Sequence, residues 1–268
     1  MATTLLALMW ASVTVYALLA GADFGAGAWD LLSGRTGPGA RRRALIEHAI
    51  GPVWEANHVW LIFVLVLMWT AFPPLFAAVS STLYIPLTLV ALGVIARGSA
   101  FAFRKAVTEV WQQRIFGAAF AFSSLVTPFF LGAVAGGVAS GRVPPGVAGG
   151  NVVTSWLNPT SVLSGALAVV AGMYLAAVYL TADARRYLLV RVSAALAVAA
   201  VLWGWGAAQY PHLLSGAPGL TVAQAAAGQA TLQATTISVG VGIVLLIPSL
   251  AWLFLLFQRS ERQPPAVR

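Results

Sequence analysis

The segment TTLLALMWASVTVYALLAGADF, residues 3–24, decides the class of fold, because it carries no charged side chain before Asp23. About 20 mostly apolar residues are needed for a helix to cross the hydrocarbon core of a bilayer. The segment does not begin with the basic stretch that is typical of a cleavable signal peptide. We therefore interpret it as a first membrane-spanning helix.

Six further apolar runs of similar length follow the first one. They cover about residues 53–72, 81–103, 115–138, 159–181, 188–209 and 233–257. Of the whole chain, 60% is hydrophobic and 8% is charged, whereas a soluble domain carries about 25% charged residues. The sequence therefore predicts a single all-α transmembrane domain over residues 1–268, with about seven spans. It contains no Cys, which excludes disulfides and thiolate metal sites.

The positions of Lys and Arg predict the orientation of the spans. Clusters such as residues 41–43 and 185–186 lie in connections on one side, and Arg142 is the only basic residue on the other. Short loops rich in Lys and Arg remain in the cytoplasm. We therefore expect the N-terminus outside and the C-terminus inside. The net charge of +8 comes from these short clusters between apolar runs, so we do not interpret it as a nucleic-acid-binding surface.

Ionisable residues within the spans or at their ends are the candidate functional residues. Asp23 ends the first span, and Glu55 and His58 lie in the first turns of the second. Arg97 and Arg104 are seven residues apart and share a face of the third span. An ionised side chain at the centre of a bilayer costs about 2.5–3.5 kcal/mol on insertion scales. These groups should therefore face a partner or a water-filled cavity.

Two interpretations of these residues are compatible with each other. Glu55, Asp23 and His58 can pass protons inward from the cytoplasm. Alternatively, Asp23 or Glu55 only neutralises Arg97 or Arg104, and the residues by themselves favour this ion-pair interpretation. His58 is the only His clearly within a span and has a carboxylate neighbour. We therefore expect a polar core or relay residue there rather than a haem ligand.

Four motifs resemble subunit II of cytochrome bd-type quinol oxidases. The run GADFGAG, residues 21–27, is similar to the first-helix signature of that family, and GPVWEANHVWL, residues 51–61, is similar to its second-helix signature. The run RGSAFAFR, residues 97–104, resembles the end of its third helix. The run LNP, residues 157–159, resembles the start of its next inward-running helix.

The resemblance implies an activity and a set of partners. In that family, a quinol is oxidised, oxygen is reduced to water and charge moves across the bacterial cytoplasmic membrane. Haem b and haem d belong to subunit I, so we expect this chain to bind no haem or metal itself and to pair with that haem-bearing subunit. Subunit II stabilises the haem subunit and helps to conduct protons from the cytoplasm. Some members hold a structural quinone or recruit a small single-helix subunit.

The resemblance also implies roles for individual residues. Glu55 is the best candidate for the proton path, and Asp23 is the next. Trp60 matches a position close to a proposed oxygen route. Typical members have nine helices in two four-helix bundles plus a peripheral helix. This chain has about seven spans, and the part after Thr181 resembles the last two helices of the family, so two helices before them are expected to be missing. We therefore expect one four-helix bundle and a reduced second bundle.

Two other functions remain open from the sequence. The first is a secondary transporter that binds its substrate at Asp23, Glu55 and Arg97 beside a broken helix. The second is a scaffold that only assembles other subunits.

Overall fold

The computed structural model describes residues 1–32, 54–107, 109–181 and 188–260, which are almost entirely helical. The long helices are α1 (Ala2–Leu32), α2 (Trp54–Ala71), α3 (Pro73–Thr82), α4 (Tyr84–Ala106), α5 (Val110–Ala139), α6 (Pro159–Thr181), α7 (Leu188–Gln209) and α9 (Gln229–Ser260). A short hairpin of β1 (His212–Leu214) and β2 (Leu220–Thr221) and one turn of helix, α8 (Val222–Ala225), precede α9.

Each predicted span coincides with one of these long helices. In the described part of the chain, five helices are long and apolar enough to cross a membrane by themselves, and a sixth span forms if the bent pair α2–α3 counts as one. In α4, the apolar section covers only Tyr84–Ala100. The all-α membrane class is thereby confirmed. The count of seven crossings and the N-out orientation remain predictions.

The chain bends sharply between α2 and α3. The direction of the helix axis changes by 119° from α2 to α3. Pro73 and Pro74 occupy the first positions of α3, where a missing backbone N–H costs nothing because it has no partner within the helix. Phe72 precedes them and is fully buried. Its side chain belongs to a large apolar cluster.

Helix α1 lies at the centre of the packing. It contacts α2, α5, α6 and α7, while α4 packs on α5 and α5 packs on α6. Helices α1, α4, α5 and α6 therefore form the main bundle. Outside this bundle, α7 packs on α1 and α6, and α9 packs on α2. The reduced second bundle remains a prediction.

Helices α1 and α6 cross closely at three glycines. A Cβ atom on Gly25 would overlap the backbone carbonyl of Gly172. A Cβ atom on Gly172 would lie 2.8 Å from the carbonyl oxygen of Gly21. The spacing of Gly21 and Gly25 predicts such a close approach, and α6 is the neighbour that makes it.

An apolar cluster closes the end of the bundle at which α1 begins. We call it the apolar cap. Its largest fully buried members come from α1, α2, the α2–α3 and α3–α4 junctions and the later loops: Leu5, Leu67, Phe72, Leu83, Val143 and Leu214. The loop after α8 is tied to α2, because the Ala227 N–H donates to the Ala71 carbonyl at 2.9 Å. The cap therefore joins residues that are far apart in the sequence.

Candidate functional site

A buried ion pair joins α1 and α4. Nη2 of Arg97 donates to Oδ1 of Asp23 at 2.7 Å and to the backbone carbonyl of Asp23 at 3.0 Å. The side chains are 1% and 6% exposed, respectively. The sequence placed both residues on the candidate list, and the structure brings them into direct contact.

Helix α5 supplies the other partners of the guanidinium. Nη1 of Arg97 donates to the hydroxyl of Ser124, which in turn donates to the Phe120 carbonyl at 2.6 Å. The centre of the guanidinium lies 4.9 Å from the Phe24 ring and 4.3 Å from the Phe120 ring. Arginine stacks favourably on aromatic faces in this range. One side chain therefore links three helices of the main bundle.

Gly27 makes room for this arrangement. A Cβ atom at that position would overlap the side chain of Ser124 and would lie 2.9 Å from Nη1 of Arg97. The GADFGAG run therefore serves two contacts at once. Gly25 admits α6 on one side of α1, and Gly27 admits Arg97 and Ser124 on another.

Burial makes the pair important for stability. Removing one partner of a buried ion pair typically costs about 3–5 kcal/mol, since the other charge is left uncompensated. Asp23 nevertheless keeps one atom without a protein ligand. Among the described residues, its Oδ2 has no hydrogen-bond partner. The carboxylate is thus anchored through one oxygen and available through the other.

Two further groups on α1 share the face of Asp23. Tyr16, Asp23 and Asp30 are seven residues apart, and all three are buried. A spacing of seven places side chains on one side of a helix. The sequence analysis gave Asp30 no role because it ended the first span at residue 24, whereas α1 continues to Leu32. The spacing from Asp23 was the signal that could have identified it.

Helix α2 brings polar side chains to the same region. The His58 ring meets the Tyr16 ring edge-on, with centroids 6.5 Å apart. Asn57, next to His58, is 1% exposed, and its Oδ1 has no hydrogen-bond partner in the described part of the chain. Asn57 belonged to the second-helix motif, but the sequence analysis assigned it no function.

Three predicted site residues remain to be placed: Glu55, Arg104 and Trp60. The side chains of Glu55 and Arg104 lie outside the described residues, so their roles remain predictions. Trp60 is 36% exposed on α2. Its assignment to an oxygen route also remains a prediction.

Comparison with known proteins identifies the family. The profile described as cytochrome bd terminal oxidase subunit II matches residues 1–192 and 181–257. The chain belongs to this family. The two matched segments overlap over residues 181–192, next to the point at which the sequence analysis placed a shortfall of two helices. That shortfall remains a prediction.

Individual relatives match a little less than half of the chain. The cytochrome bd ubiquinol oxidase subunit 2 of Bacillus subtilis (strain 168) is 40% identical over 119 residues, which cover 42% of this chain and 33% of the relative. The cytochrome bd-I ubiquinol oxidase subunit 2 of Escherichia coli (strain K12) is 29% identical over 126 residues, 47% of this chain and 32% of the relative. The chain thus spans about a third of the length of these curated relatives.

Proposed function

We propose that this chain is the non-haem subunit of a bd-type quinol:oxygen oxidoreductase in the bacterial cytoplasmic membrane. It stabilises a haem-bearing subunit I and contributes a path by which protons from the cytoplasm reach the site of oxygen reduction. Membership in the family and a multi-pass helical structure support the first part. The buried Asp23–Arg97 pair supports the second.

The histidine in the helices that the structure describes does not fit the role of a haem ligand. A haem iron needs an axial His, Met, Cys or Tyr ligand directed into a pocket. His58 is the only His in a helix of the described part, and its ring is packed against Tyr16. We therefore assign haem b and haem d to subunit I.

The observation that carries the proton path is the divided role of the Asp23 carboxylate. Arg97 holds Oδ1 and compensates its charge, which allows a carboxylate to persist in an apolar bundle. Oδ2 is left to accept a hydrogen bond or a proton. A path through the chain then needs Glu55 and His58 on α2 to receive protons and Asp23 on α1 to pass them on.

The test is a pair of variants of Asp23 in the intact oxidase complex. Asp23→Asn keeps the shape of the side chain and cannot exchange a proton. The double variant Asp23→Leu/Arg97→Leu removes both charges together, so that no uncompensated charge is left buried. Both are expected to assemble with the haem subunit and to slow oxygen consumption and proton uptake in proteoliposomes. Ser123→Ala, directly before Ser124 on α5, is the control.

The scaffold function is a second candidate, and one observation favours it. One oxygen of Asp23 is fully engaged by Arg97, as a purely structural pair requires. If the double variant assembles and retains full turnover, the pair has only a structural role and the proton path through Asp23 is rejected.

A further inference from the structure

A cavity of about 490 Å³ lies where the last turns of α7 meet the β1–β2 hairpin and the end of α5. Small-molecule sites in proteins commonly have volumes of about 300–1,000 Å³. Its wall includes an indole, an amide, an imidazole and a hydroxyl, from Trp205, Gln209, His212 and Ser215. The cavity therefore has both the size and the polar groups of a binding site.

Tertiary contacts hold the wall of the cavity in place. The Trp205 ring packs on the Trp10 ring, with centroids 5.2 Å apart, and Nε1 of Trp10 donates to the Leu202 carbonyl at 3.1 Å. The hairpin turn lies against the loop after α5, since a Cβ atom on Gly216 would be 2.5 Å from the Gly141 carbonyl oxygen. The site is thus formed by α1, α5, α7 and the hairpin together.

The polar groups of the wall are available to a ligand. Nε2 of Gln209 donates to Oγ of Ser215 over a long distance of 3.4 Å. The described part of the chain shows no other side-chain hydrogen bond for these two residues or for His212. An amide, a hydroxyl and a neutral imidazole can each donate and accept a hydrogen bond. They therefore match a ligand whose own groups do both, as hydroxyl groups do.

The charge of the wall selects against an ionic ligand. Of the described residues, no Lys, Arg, Asp or Glu lines the cavity. Helix α7 ends at Gln209, and Ala139 at the end of α5 also lines the cavity. The C-terminal end of a helix carries a partial negative charge, which disfavours a phosphate group. A neutral ring that bears hydroxyl groups, with one face on the Trp205 indole, fits this wall.

The aromatic residues around the cavity place it at the level of lipid headgroups. Trp203 and Tyr210, at the same end of α7, are 46% and 57% exposed. Exposed Trp and Tyr concentrate at the membrane–water interface. Under the predicted N-out orientation, this interface belongs to the outer leaflet.

A stripe of small side chains leads from the cavity along α7. Ala208 lines the cavity, and Gly204, Ala200 and Ala197 follow on the same face, all of them exposed. A Cβ atom on Gly204 would meet nothing within 4 Å. Beside the larger exposed side chain of Val201, the stripe forms a shallow apolar groove that suits an acyl chain.

We propose that the cavity binds a neutral glycolipid, a diacylglycerol whose headgroup is a sugar. The sugar ring packs on Trp205, and its hydroxyls bond with Gln209, His212 and Ser215. One acyl chain lies along the small-residue stripe of α7. This site is separate from the Asp23–Arg97 pair, so it does not depend on the proposed proton path.

Lipid retention by the intact oxidase complex tests the headgroup. The complex is placed in nanodiscs of monoglucosyl diacylglycerol, phosphatidylglycerol and phosphatidylethanolamine with identical acyl chains, and the lipids that stay bound are counted by native mass spectrometry. We expect several-fold more glucosyl lipid than either phospholipid, and a several-fold loss of it in Gln209→Leu. Equal retention of the three lipids by the unsubstituted complex would overturn the proposal.

Two neighbouring alanines supply a matched pair of variants. Ala207 and Ala208 are both exposed, but only Ala208 lines the cavity. Ala208→Leu fills the junction of the cavity and the stripe and is expected to lower retention of the glucosyl lipid several-fold. Ala207→Leu is expected to leave it unchanged. An equal effect of the two variants would show that the retained lipid binds elsewhere in the complex and would overturn the site.

A free sugar presents the same hydroxyl groups without an acyl chain. We expect an excess of methyl β-glucoside to leave the retained glucosyl lipid in place, and Gly204→Leu, which fills the stripe, to lower its retention. Displacement by methyl β-glucoside together with unchanged retention in Gly204→Leu would identify a soluble sugar as the ligand and overturn the lipid assignment.

Discussion

The two halves of α1 present the same face to very different surroundings. In the first half, Leu5 and Met9 are buried among the apolar side chains of the cap. In the second half, Tyr16, Asp23 and Asp30 follow on the same side of the helix. Tyr16 contacts His58 of α2, and Asp23 pairs with Arg97 of α4. A single helix therefore carries an apolar seal at one end and a polar cluster at the other.

This difference suits a path that is open at one end only. Water and protons avoid a dry apolar cluster, because no polar group there can pair with them. In the proposed proton path, the polar cluster exchanges protons with one side of the membrane and the cap isolates it from the other. Under the predicted N-out orientation, the open side is the cytoplasm. Substitutions in the apolar cap, in the polar cluster and at the crossing of α1 with α6 test this difference.

Arg97→Leu is expected to have the largest effect. It leaves the Asp23 charge buried without a partner and should destabilise the folded chain by up to about 5 kcal/mol. The measurement is the thermal midpoint of the purified complex by fluorescence-detected size exclusion. Asp23→Leu/Arg97→Leu should recover most of the loss, since it removes both charges. Equal destabilisation by the single and double variants would show that packing, not charge, dominates this half.

Phe72→Ala is expected to destabilise the apolar cap. Removal of a fully buried ring leaves a cavity in the cap, and we expect a loss of about 3 kcal/mol in the free energy of unfolding. The same thermal measurement applies, with Leu163→Ala as the control because Leu163 is 61% exposed on α6. Proteoliposomes with the variant should also show faster passive proton leak. A leak equal to that of the control would argue against a sealing role for the cap.

Gly25→Ala tests the helix crossing that holds the two halves of α1 against α6. The added methyl group overlaps the Gly172 carbonyl, so the helices must separate, at a cost of about 2 kcal/mol. Gly117→Ala on α5 is the matched control, because a Cβ atom there meets nothing within 4 Å. That control should leave stability unchanged or raise it by up to about 1 kcal/mol through helix propensity. Similar midpoints for the two variants would contradict the close crossing.

Ser124→Ala is expected to have the smallest effect, in the polar cluster. It removes the hydroxyl that accepts a hydrogen bond from Arg97, and we expect a loss of about 1.5 kcal/mol. The adjacent Ser123→Ala removes a hydroxyl that donates only to the Phe120 carbonyl and should cost less. Thermal midpoints of the two variants, measured side by side, give the difference. A larger loss for Ser123→Ala would remove Ser124 from the site.

Several features of the chain follow from short-range patterns and were predictable. The membrane class follows from apolar runs such as residues 159–181 and 188–209, whose ends coincide with those of α6 and α7. The close approach at Gly21 and Gly25 follows from their spacing. The family follows from motifs of seven to eleven residues, such as GADFGAG and GPVWEANHVWL. Each of these depends on residues within a few turns of one another.

Which side chains contact each other in the polar cluster could be learned only from the tertiary structure. The sequence left open whether Asp23 or Glu55 neutralises Arg97 or Arg104, because nothing local orients α1 relative to α4. Asp23 and Arg97 are 74 residues apart, and Ser124 comes from a third helix. The burial of Asp30 and the contact between Tyr16 and His58 have the same origin. Helix formation is governed by hydrogen bonds and hydropathy along the chain. The polar cluster, in contrast, forms only where buried side chains of separate helices meet.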